Sequence, residues 1–263
     1  MAENGIAPIF LSHGAPTLPF EDVSARHFLE GLASSMPAPR SILAVSAHWE
    51  TQVPTVNAVA VNETIHDFQG FPSELYELRY PAPGSSELAE RTVNLLGEAG
   101  FNVKTDTQRG LDHGAWVPLI LAWPDADIPV VQLSVQTALG PKHHLELGRA
   151  LHQLTKENTL VLASGSFTHD LSSWRGQEGM NEPEWVTEFA DWFDTRLIEG
   201  KTEDLLAYRD RAPHAQRNHP TEEHLLPMFV ALGAGGPDAQ AKRLHSSTTY
   251  GVLRMDAYSF TPA

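Results

Sequence analysis

Short apolar runs of strand length alternate along the chain with longer segments in which apolar residues recur at helical spacing. The apolar runs predict buried strands at residues 8–11, 42–46, 55–61, 130–135 and 160–163. The longer segments predict helices at residues 22–35, 85–99, 143–154, 184–199 and 220–232. This alternation is typical of an α/β fold in which helices flank a mixed, mostly parallel central sheet.

The sequence predicts a single domain that spans residues 1–263. No internal repeat interrupts the alternation, and the two stretches rich in proline and glycine, residues 80–85 and 233–237, are only long enough for loops. Ligands of open α/β sheets bind at the carboxyl ends of the strands. We therefore expect the active site at that edge of one α/β domain.

The charge balance excludes some classes of partner. The chain contains 18 Lys+Arg and 33 Asp+Glu, a formal net charge of −15, without the clusters of basic residues that a nucleic-acid surface needs. No apolar run approaches the ~20 residues that span a bilayer, and the acidic start lacks the basic flank of a signal peptide. We expect a cytoplasmic protein with no nucleic-acid or membrane partner. The sequence leaves open whether the protein forms a homo-oligomer.

The chain contains no cysteine, so any metal must be bound by imidazole or oxygen. Three of its 13 histidines follow predicted strands: His13 comes after the first, His48 after the second and His169 after the strand at 160–163. The carboxyl ends of parallel strands meet at one edge of a sheet. These three histidines therefore predict a metal site or an acid–base site at that edge.

Three further histidines are candidates for the same site. His224 falls in the first turns of the predicted helix at 220–232, and His219, in the preceding loop, is an alternative ligand. His113 lies in a predicted turn marked by Asp112 and Gly114. Polar or helical contexts predict surface positions for His27, His143, His144, His152, His214 and His245.

Aromatic residues near the candidate histidines indicate a pocket that suits a flat aromatic substrate, although each of them also suits core packing. They are Trp49, Phe68, Trp116 and Phe167. Four arginines are candidates for binding a substrate carboxylate, and the sequence gives no basis for choosing among them. They are Arg79, Arg109, Arg175 and Arg217.

Eight ordered motifs resemble those of one enzyme family. They are Leu-Ser-His-Gly-Ala-Pro, Val-Ser-Ala-His-Trp, Ile-His-Asp-Phe-x-Gly-Phe-Pro, Tyr-Pro-Ala-Pro-Gly, Leu-Asp-His-Gly-Ala-Trp, Pro-Asp-Ala-Asp-Ile-Pro-Val-Val-Gln-Leu-Ser, Ala-Ser-Gly-Ser-x-x-His and Pro-Thr-Glu-Glu-His-Leu-Leu-Pro. From about Pro8 to the last strand, the chain resembles the DODA-type class III extradiol ring-cleavage dioxygenases, which include DOPA extradiol dioxygenases.

The resemblance implies a non-haem Fe2+ enzyme that opens the ring of a catechol, DOPA or a related compound, with O2 to give a semialdehyde. It implies His13, His48 and His224 as metal ligands. It also implies His169 as the acid–base residue beside the metal and His113 as a further active-site histidine that faces oxygen or substrate.

Three neutral imidazoles would leave the charge of a divalent metal uncompensated, because we expect Glu222 and Glu223 to point elsewhere on the predicted helix. A three-histidine set is also typical of zinc enzymes, so Zn2+ is expected to be able to occupy the site. A zinc-dependent hydrolase that uses the same three histidines is the alternative function. A binding protein that holds a metal or a small acid without transforming it is the third hypothesis.

Overall fold

A computed structural model describes residues 5–173 and 181–262 of the chain. Its strands are β1 (Ile9–Ser12), β2 (Ser41–Glu50), β3 (Thr55–Asn57), β4 (Lys104–Asp106), β5 (Val130–Val135), β6 (Thr159–Gly165), β7 (Gln240–His245), β8 (Thr248–Thr249), β9 (Leu253–Arg254) and β10 (Ala257–Thr261). Its helices are α1 (Ser24–Leu32), α2 (Ser86–Glu98), α3 (His113–Ala122), α4 (Gly140–Lys156), α5 (Glu184–Ile198), α6 (Thr202–Leu206), α7 (Tyr208–Arg211), α8 (Ala215–Asn218) and α9 (Leu226–Ala234).

Eight of these strands form one sheet in the order β4-β3-β5-β2-β6-β1-β10-β7, and β8 pairs with β9 separately. The central neighbours β5, β2, β6 and β1 run parallel, whereas β10 is antiparallel to both β1 and β7. The prediction of an α/β fold with a mixed, mostly parallel central sheet is confirmed. Because the central strands are parallel, their carboxyl ends share one edge.

Helices cover both faces of the sheet, which explains why its strands read as unbroken apolar runs. In β2, Leu43 and Val45 belong to the apolar core under α4 and α9, whereas Ile42 and Ala44 belong to the core under α1 and α3. Each face therefore takes alternate side chains of the same strand. Within the described residues, no helix combines the length and the apolar composition needed to cross a membrane.

Strand β2 is longer than its sequence predicts and includes one candidate ligand. It continues through Glu50, and its register against β5 shifts between Val45 and Glu50. His48 thus lies within an irregular part of the strand and not in a loop after it. Such irregularities re-aim side chains, and the prediction of a strand that ends at Ser46 was wrong.

Two helices differ from the sequence prediction near candidate histidines. Helix α3 begins at His113, where a turn was predicted, because Asp112 caps it by accepting a hydrogen bond from the Ala115 amide. Its residues are apolar on every side, so it shows no helical periodicity. Helix α9 begins at Leu226 and not at residue 220, so His224 lies in the turn before it.

Gly165, the last residue of β6, brings two candidate ligand segments together. Its carbonyl accepts a hydrogen bond from the His13 amide at 3.0 Å, and the next amide, of Ser166, donates to the His224 carbonyl at 2.8 Å. A Cβ atom at Gly165 would overlap the His224 carbonyl group. The absence of a side chain therefore lets the His224 turn lie directly on the end of β6.

We predict that Gly165→Ala lowers the free energy of unfolding by about 1–3 kcal/mol, because the added methyl group must displace backbone. Thermal unfolding measures the change. Gly97→Ala is the matched control, since Gly97 lies within α2 and has no atom within 4 Å of an added Cβ. That control should be neutral or stabilising by up to about 1 kcal/mol. Equal melting temperatures for wild type and Gly165→Ala would contradict the close packing.

A buried carboxyl group beside β1 makes stability depend on pH. Asp256 is fully buried, its carbonyl accepts a hydrogen bond from the Ser12 hydroxyl, and its Oδ1 is 3.8 Å from the Arg254 Nε. Burial raises the pKa of Asp256 to about 6, although Arg254 opposes the rise. The unfolded chain loses this proton at lower pH than the folded chain. Stability therefore falls as pH rises from about 4 to about 6.

We predict that Asp256→Asn raises the free energy of unfolding at pH 8 by about 1–3 kcal/mol, because it removes a charge that folding desolvates. The gain should shrink below pH 6 and be small at pH 4, where the folded wild-type carboxyl group is protonated and the unfolded one, with its ordinary pKa of 3.8, is about half protonated. Urea unfolding at pH 4, 6 and 8 measures it. Asp125→Asn, at an exposed position, is the control and should change the free energy of unfolding little at any of the three pH values. A pH-independent difference would contradict the prediction.

Candidate metal centre

Three predicted ligands converge at the carboxyl edge of the sheet. The Nε2 atom of His48 lies 3.1 Å from that of His13 and 3.2 Å from that of His224. The three ring centroids are 4.9–5.5 Å apart. His13 follows β1, His48 belongs to the irregular part of β2 and His224 precedes α9. Residues far apart in sequence thus meet because neighbouring strands end at one edge.

The outer nitrogen, Nδ1, has a hydrogen-bond partner in His13 and in His224 and faces a carboxylate in His48, while the inner nitrogen, Nε2, of each ring faces the other two rings. The Ser164 hydroxyl donates to the Gly114 carbonyl, so it accepts the Nδ1–H of His13 at 3.0 Å. The Nδ1–H of His224 donates to Glu223 Oε1 at 2.9 Å. His48 Nδ1 is 3.5 Å from Asp67 Oδ2. A proton held on Nδ1 leaves the Nε2 lone pair free.

Burial keeps these rings neutral. It lowers the pKa of both His13 and His224 well below the usual value, and neighbouring imidazoles add to the effect. The pKa of His48 is lowered to about 4 by burial and by His113, although nearby carboxylates oppose the shift. At neutral pH three lone pairs therefore face one another, an arrangement that repels unless a cation lies between them.

The donor set fits a divalent metal ion. Nitrogen ligands about 2.0–2.1 Å from a tetrahedral metal are separated from one another by about 3.3 Å. The two Nε2 separations of 3.1 and 3.2 Å match that spacing. Neutral imidazoles are ligands for zinc and for iron. Three protein ligands also leave positions for exogenous molecules, as a catalytic metal site requires.

Two more predicted site histidines border this triad. The His113 ring is 3.9 Å from the His48 ring and 5.4 Å from the His13 ring. The His169 ring stacks on His224 with centroids 3.4 Å apart and an interplanar angle of 13°. Its backbone amide donates to the Asn218 carbonyl at 2.7 Å. Potential ligand atoms thus fall into two clusters, His13–His48–His113 and His169–Glu223–His224, which meet at the short contact between His48 and His224.

His219, the alternative ligand, lies behind the site. It is fully buried, its Nε2–H donates to the Phe167 carbonyl at 3.0 Å, and its ring packs 5.5 Å from that of Phe189. The structure therefore brings His224 and not His219 to the other candidates.

The predicted surface position of His144 was also wrong. It is buried, with Nδ1–H donating to the Gly140 carbonyl and Nε2 accepting the Gln136 amide.

Two carboxylates lie beside the histidines, and one of them contradicts the sequence expectation. Glu223 contacts His224, because the residues precede α9 in a turn and not on a helix. Glu222 does point elsewhere, toward the Tyr208 hydroxyl. Asp67 approaches both His48 and His113. Burial alone would raise the pKa of Asp67, but its contacts with His113, including the hydrogen bond from the His113 amide, outweigh burial and lower that pKa to about 2. The expected lack of compensating charge near the rings was wrong.

A buried polar network behind His48 and His113 was missed by the sequence reasoning. Asp112 is fully buried and accepts hydrogen bonds from Ser46 Oγ at 2.6 Å and from Gln132 Nε2 at 2.5 Å. The Ser46 oxygen in turn accepts the His48 amide. An aspartate directly before a helix is a capping signal that could have revealed this residue.

The predicted substrate-binding residues separate into different environments. Phe68 is half-buried with its ring 5.7 Å from that of His113, whereas Trp116 and Phe167 are buried in the core. Arg109 contacts Asp112 and lies over Trp49, so both support the site from behind. Arg79 lies beside His66, and Arg217 covers Trp185 at 4.0 Å. Arg175 is outside the described residues.

Comparisons with known proteins agree with this arrangement. The model of the family described as the catalytic LigB subunit of aromatic ring-opening dioxygenase matches residues 8–260. A 4,5-DOPA dioxygenase extradiol from Beta vulgaris is 44% identical over 256 residues, which are 96% of this chain and 95% of that protein. The enzyme of the same name from Mirabilis jalapa is 39% identical and covers 96% of each chain.

The fold is likewise shared with a solved structure. The crystal structure of an uncharacterized protein from Escherichia coli K12 superposes with a TM-score of 0.81 and 32% identity, and covers 97% of this chain and 99% of the other. The prediction of an extradiol ring-opening dioxygenase is confirmed by the family match and by the names of the relatives. The chain belongs to the LigB family of aromatic ring-opening dioxygenases.

Proposed function

We propose that His13, His48 and His224 bind one divalent metal ion, with Fe2+ as the active metal and Zn2+ as an ion that can occupy the same site. The observation that carries the proposal is that the Nε2 atoms of His13 and His224 both lie within 3.2 Å of the Nε2 atom of His48. The family is metal-dependent, and the described residues contain histidines placed to supply that metal. Bound Fe2+ would supply the one-electron chemistry that a reaction with O2 requires.

The proposed substrate is a catechol of the DOPA type, opened by O2 outside the two hydroxyl-bearing carbons to give a semialdehyde. Relatives over nearly the full length carry the name 4,5-DOPA dioxygenase extradiol. The half-buried Phe68 ring beside His113 gives an aromatic surface against which a flat ring can lie. Residues 1–263 act in this proposal as one catalytic domain.

His169 is proposed as the acid–base residue. Its ring stacks on His224 at 3.4 Å and is partly exposed, so it lies next to the proposed metal ligands without replacing one. From there it can take a phenolic proton as the catechol binds and return a proton as the ring opens. The hydrogen bond from its amide to the Asn218 carbonyl fixes the backbone that presents the ring.

His113 is proposed as a second catalytic histidine, which faces oxygen or substrate. It is the first residue of α3, and its amide donates to Asp67 Oδ1 at 2.9 Å. Its Nδ1 is 3.0 Å from the same carboxylate oxygen, without the alignment of a hydrogen bond. A nitrogen of His113 lies within 4.8 Å of potential ligand atoms of His13 and His48, so the ring can hold a proton near the proposed metal ligands.

The reaction is tested by oxygen consumption with catechols. Protein loaded with Fe2+ should consume O2 and form a yellow product from DOPA or protocatechuate, whereas protein loaded with Zn2+ should not, because Zn2+ has no redox chemistry. An oxygen electrode and absorbance spectra measure the two changes. Hydrolytic activity with Zn2+ under argon, without O2 uptake by the Fe2+ form, would contradict ring opening and favour the zinc hydrolase.

The assigned roles predict two distinct classes of variant. Alanine at His13, His48 or His224 should abolish tight metal binding and activity together. His169→Ala should retain the metal while kcat falls about 10²–10⁴-fold, because it removes proton transfer alone. Metal content by elemental analysis and steady-state rates separate the classes. His27→Ala, on the exposed face of α1, serves as the control with unchanged values. Loss of metal from His169→Ala would contradict its assigned role.

A further inference from the structure

Two carboxylates occupy equivalent positions around the histidine cluster. Each lies between one proposed metal ligand and one proposed catalytic histidine: Asp67 between His48 and His113, and Glu223 between His224 and His169. In each pair the two rings are close, at 3.9 Å for the first and 3.4 Å for the second. The cluster thus contains two ligand–carboxylate–histidine sets.

Asp67 has one oxygen directed at each ring of its pair. Its Oδ1 is 3.0 Å from His113 Nδ1 and its Oδ2 is 3.5 Å from His48 Nδ1. The hydrogen bond from the His113 amide fixes the carboxylate at 2.9 Å. Its side chain is only 22% exposed, so water screens these contacts weakly.

Glu223 is held by hydrogen bonds at the outer nitrogen of His224. Its Oε1 accepts hydrogen bonds from His224 Nδ1 and from the Thr221 hydroxyl, both at 2.9 Å. It also lies with His169 in a cluster whose potential ligand atoms are all within 4.8 Å of one another. Its side chain is 15% exposed. Oε1 of Glu223 accepts the hydrogen bond from Nδ1 of the proposed ligand His224. This contact accounts for the position of Glu223 without direct binding of the carboxylate to the metal.

Other carboxylates close to the cluster have different partners. Asp112 is paired with Arg109 and accepts hydrogen bonds from Ser46 and Gln132. Asp170 accepts hydrogen bonds from the hydroxyls of Ser172 and Ser173, and Glu222 accepts one from Tyr208. Asp67 and Glu223 differ from these three in lying at the outer nitrogens of the proposed ligands.

We propose that Asp67 and Glu223 are paired positioning residues that act through the metal ligands, each fixing the Nδ1–H tautomer of one ligand and each supplying one negative charge to the centre. The inference rests on the metal centre proposed above. Together the two charges balance a divalent ion that three neutral imidazoles leave uncompensated. Outer-shell carboxylates of this kind orient ligating histidines and strengthen them as donors.

The experiment measures the affinity of the metal-free protein for Co2+, by competition with a chelator and by the visible absorption of bound Co2+. Asp67→Asn and Glu223→Gln keep the size and the acceptor oxygen but remove the charge. Each should weaken Co2+ binding about 10–100-fold and shift the absorption bands. Glu223→Ala, which also removes the acceptor, should weaken binding further than Glu223→Gln.

The controls remove the same charge from neighbouring residues. Glu222→Gln lies one residue from Glu223 and keeps an acceptor for Tyr208, and Glu63→Gln is exposed in the segment that contains Asp67. Both should bind Co2+ within about twofold of wild type. Thermal unfolding of the metal-free proteins separates lost affinity from lost folding. The two carboxylates lie on different segments of the chain. If the variant at one of them misfolds, the Co2+ affinity of the variant at the other still tests the proposal.

Co2+ affinity within twofold of wild type in both Asp67→Asn and Glu223→Gln would overturn the proposal. Wild-type protein that binds no Co2+ would overturn it together with the metal centre. Wild-type protein that binds Co2+, loses affinity in both carboxylate variants and opens no catechol ring with Fe2+ would support it. That last result would overturn only the proposed reaction.

Discussion

Three imidazole lone pairs that face one another are the constraint on which the site depends. Bringing neutral acceptors to Nε2 separations of 3.1 and 3.2 Å is unfavourable without a cation, and burial makes protonation of the rings unfavourable as well. The surrounding protein must therefore hold the rings in place. It does so through Ser164, Asp67 and Glu223, which contact the outer nitrogens and leave little freedom to the inner ones.

The backbone contributes as much to this arrangement as the side chains. Gly165 ends a central strand, hydrogen-bonds the His13 segment and lies against the His224 carbonyl. Gly114 has a similar function beside His48, since a Cβ atom there would press on the Ser46 hydroxyl and the His48 ring. The absence of a side chain at these two glycines lets histidines from separate segments share a small volume. The parallel sheet supplies the rigid edge on which the segments rest.

The sequence predicts the architecture and the histidines because both follow from short-range patterns. Apolar runs mark the strands, and His13 and His169 follow β1 and β6 as expected. Such patterns do not predict contacts between residues that are far apart in sequence. Helix α3 lacks periodicity because it is buried all around, and the turn before α9 directs Glu223 to His224 although a helix would have turned it away. The choice of His224 over His219 likewise depends on which ring the Phe167 carbonyl binds.

The position of β1 in the sheet has a consequence for biosynthesis. The strand that leads to His13 pairs on one side with β6 and on the other with β10, so that Ile9 lies opposite Ser259. Strand β1 emerges from the ribosome early during synthesis. Its second neighbour, β10, is translated much later. The segment that carries His13 therefore gains its final support after translation has passed β10. Completion of the proposed metal centre is then expected to follow synthesis of β10.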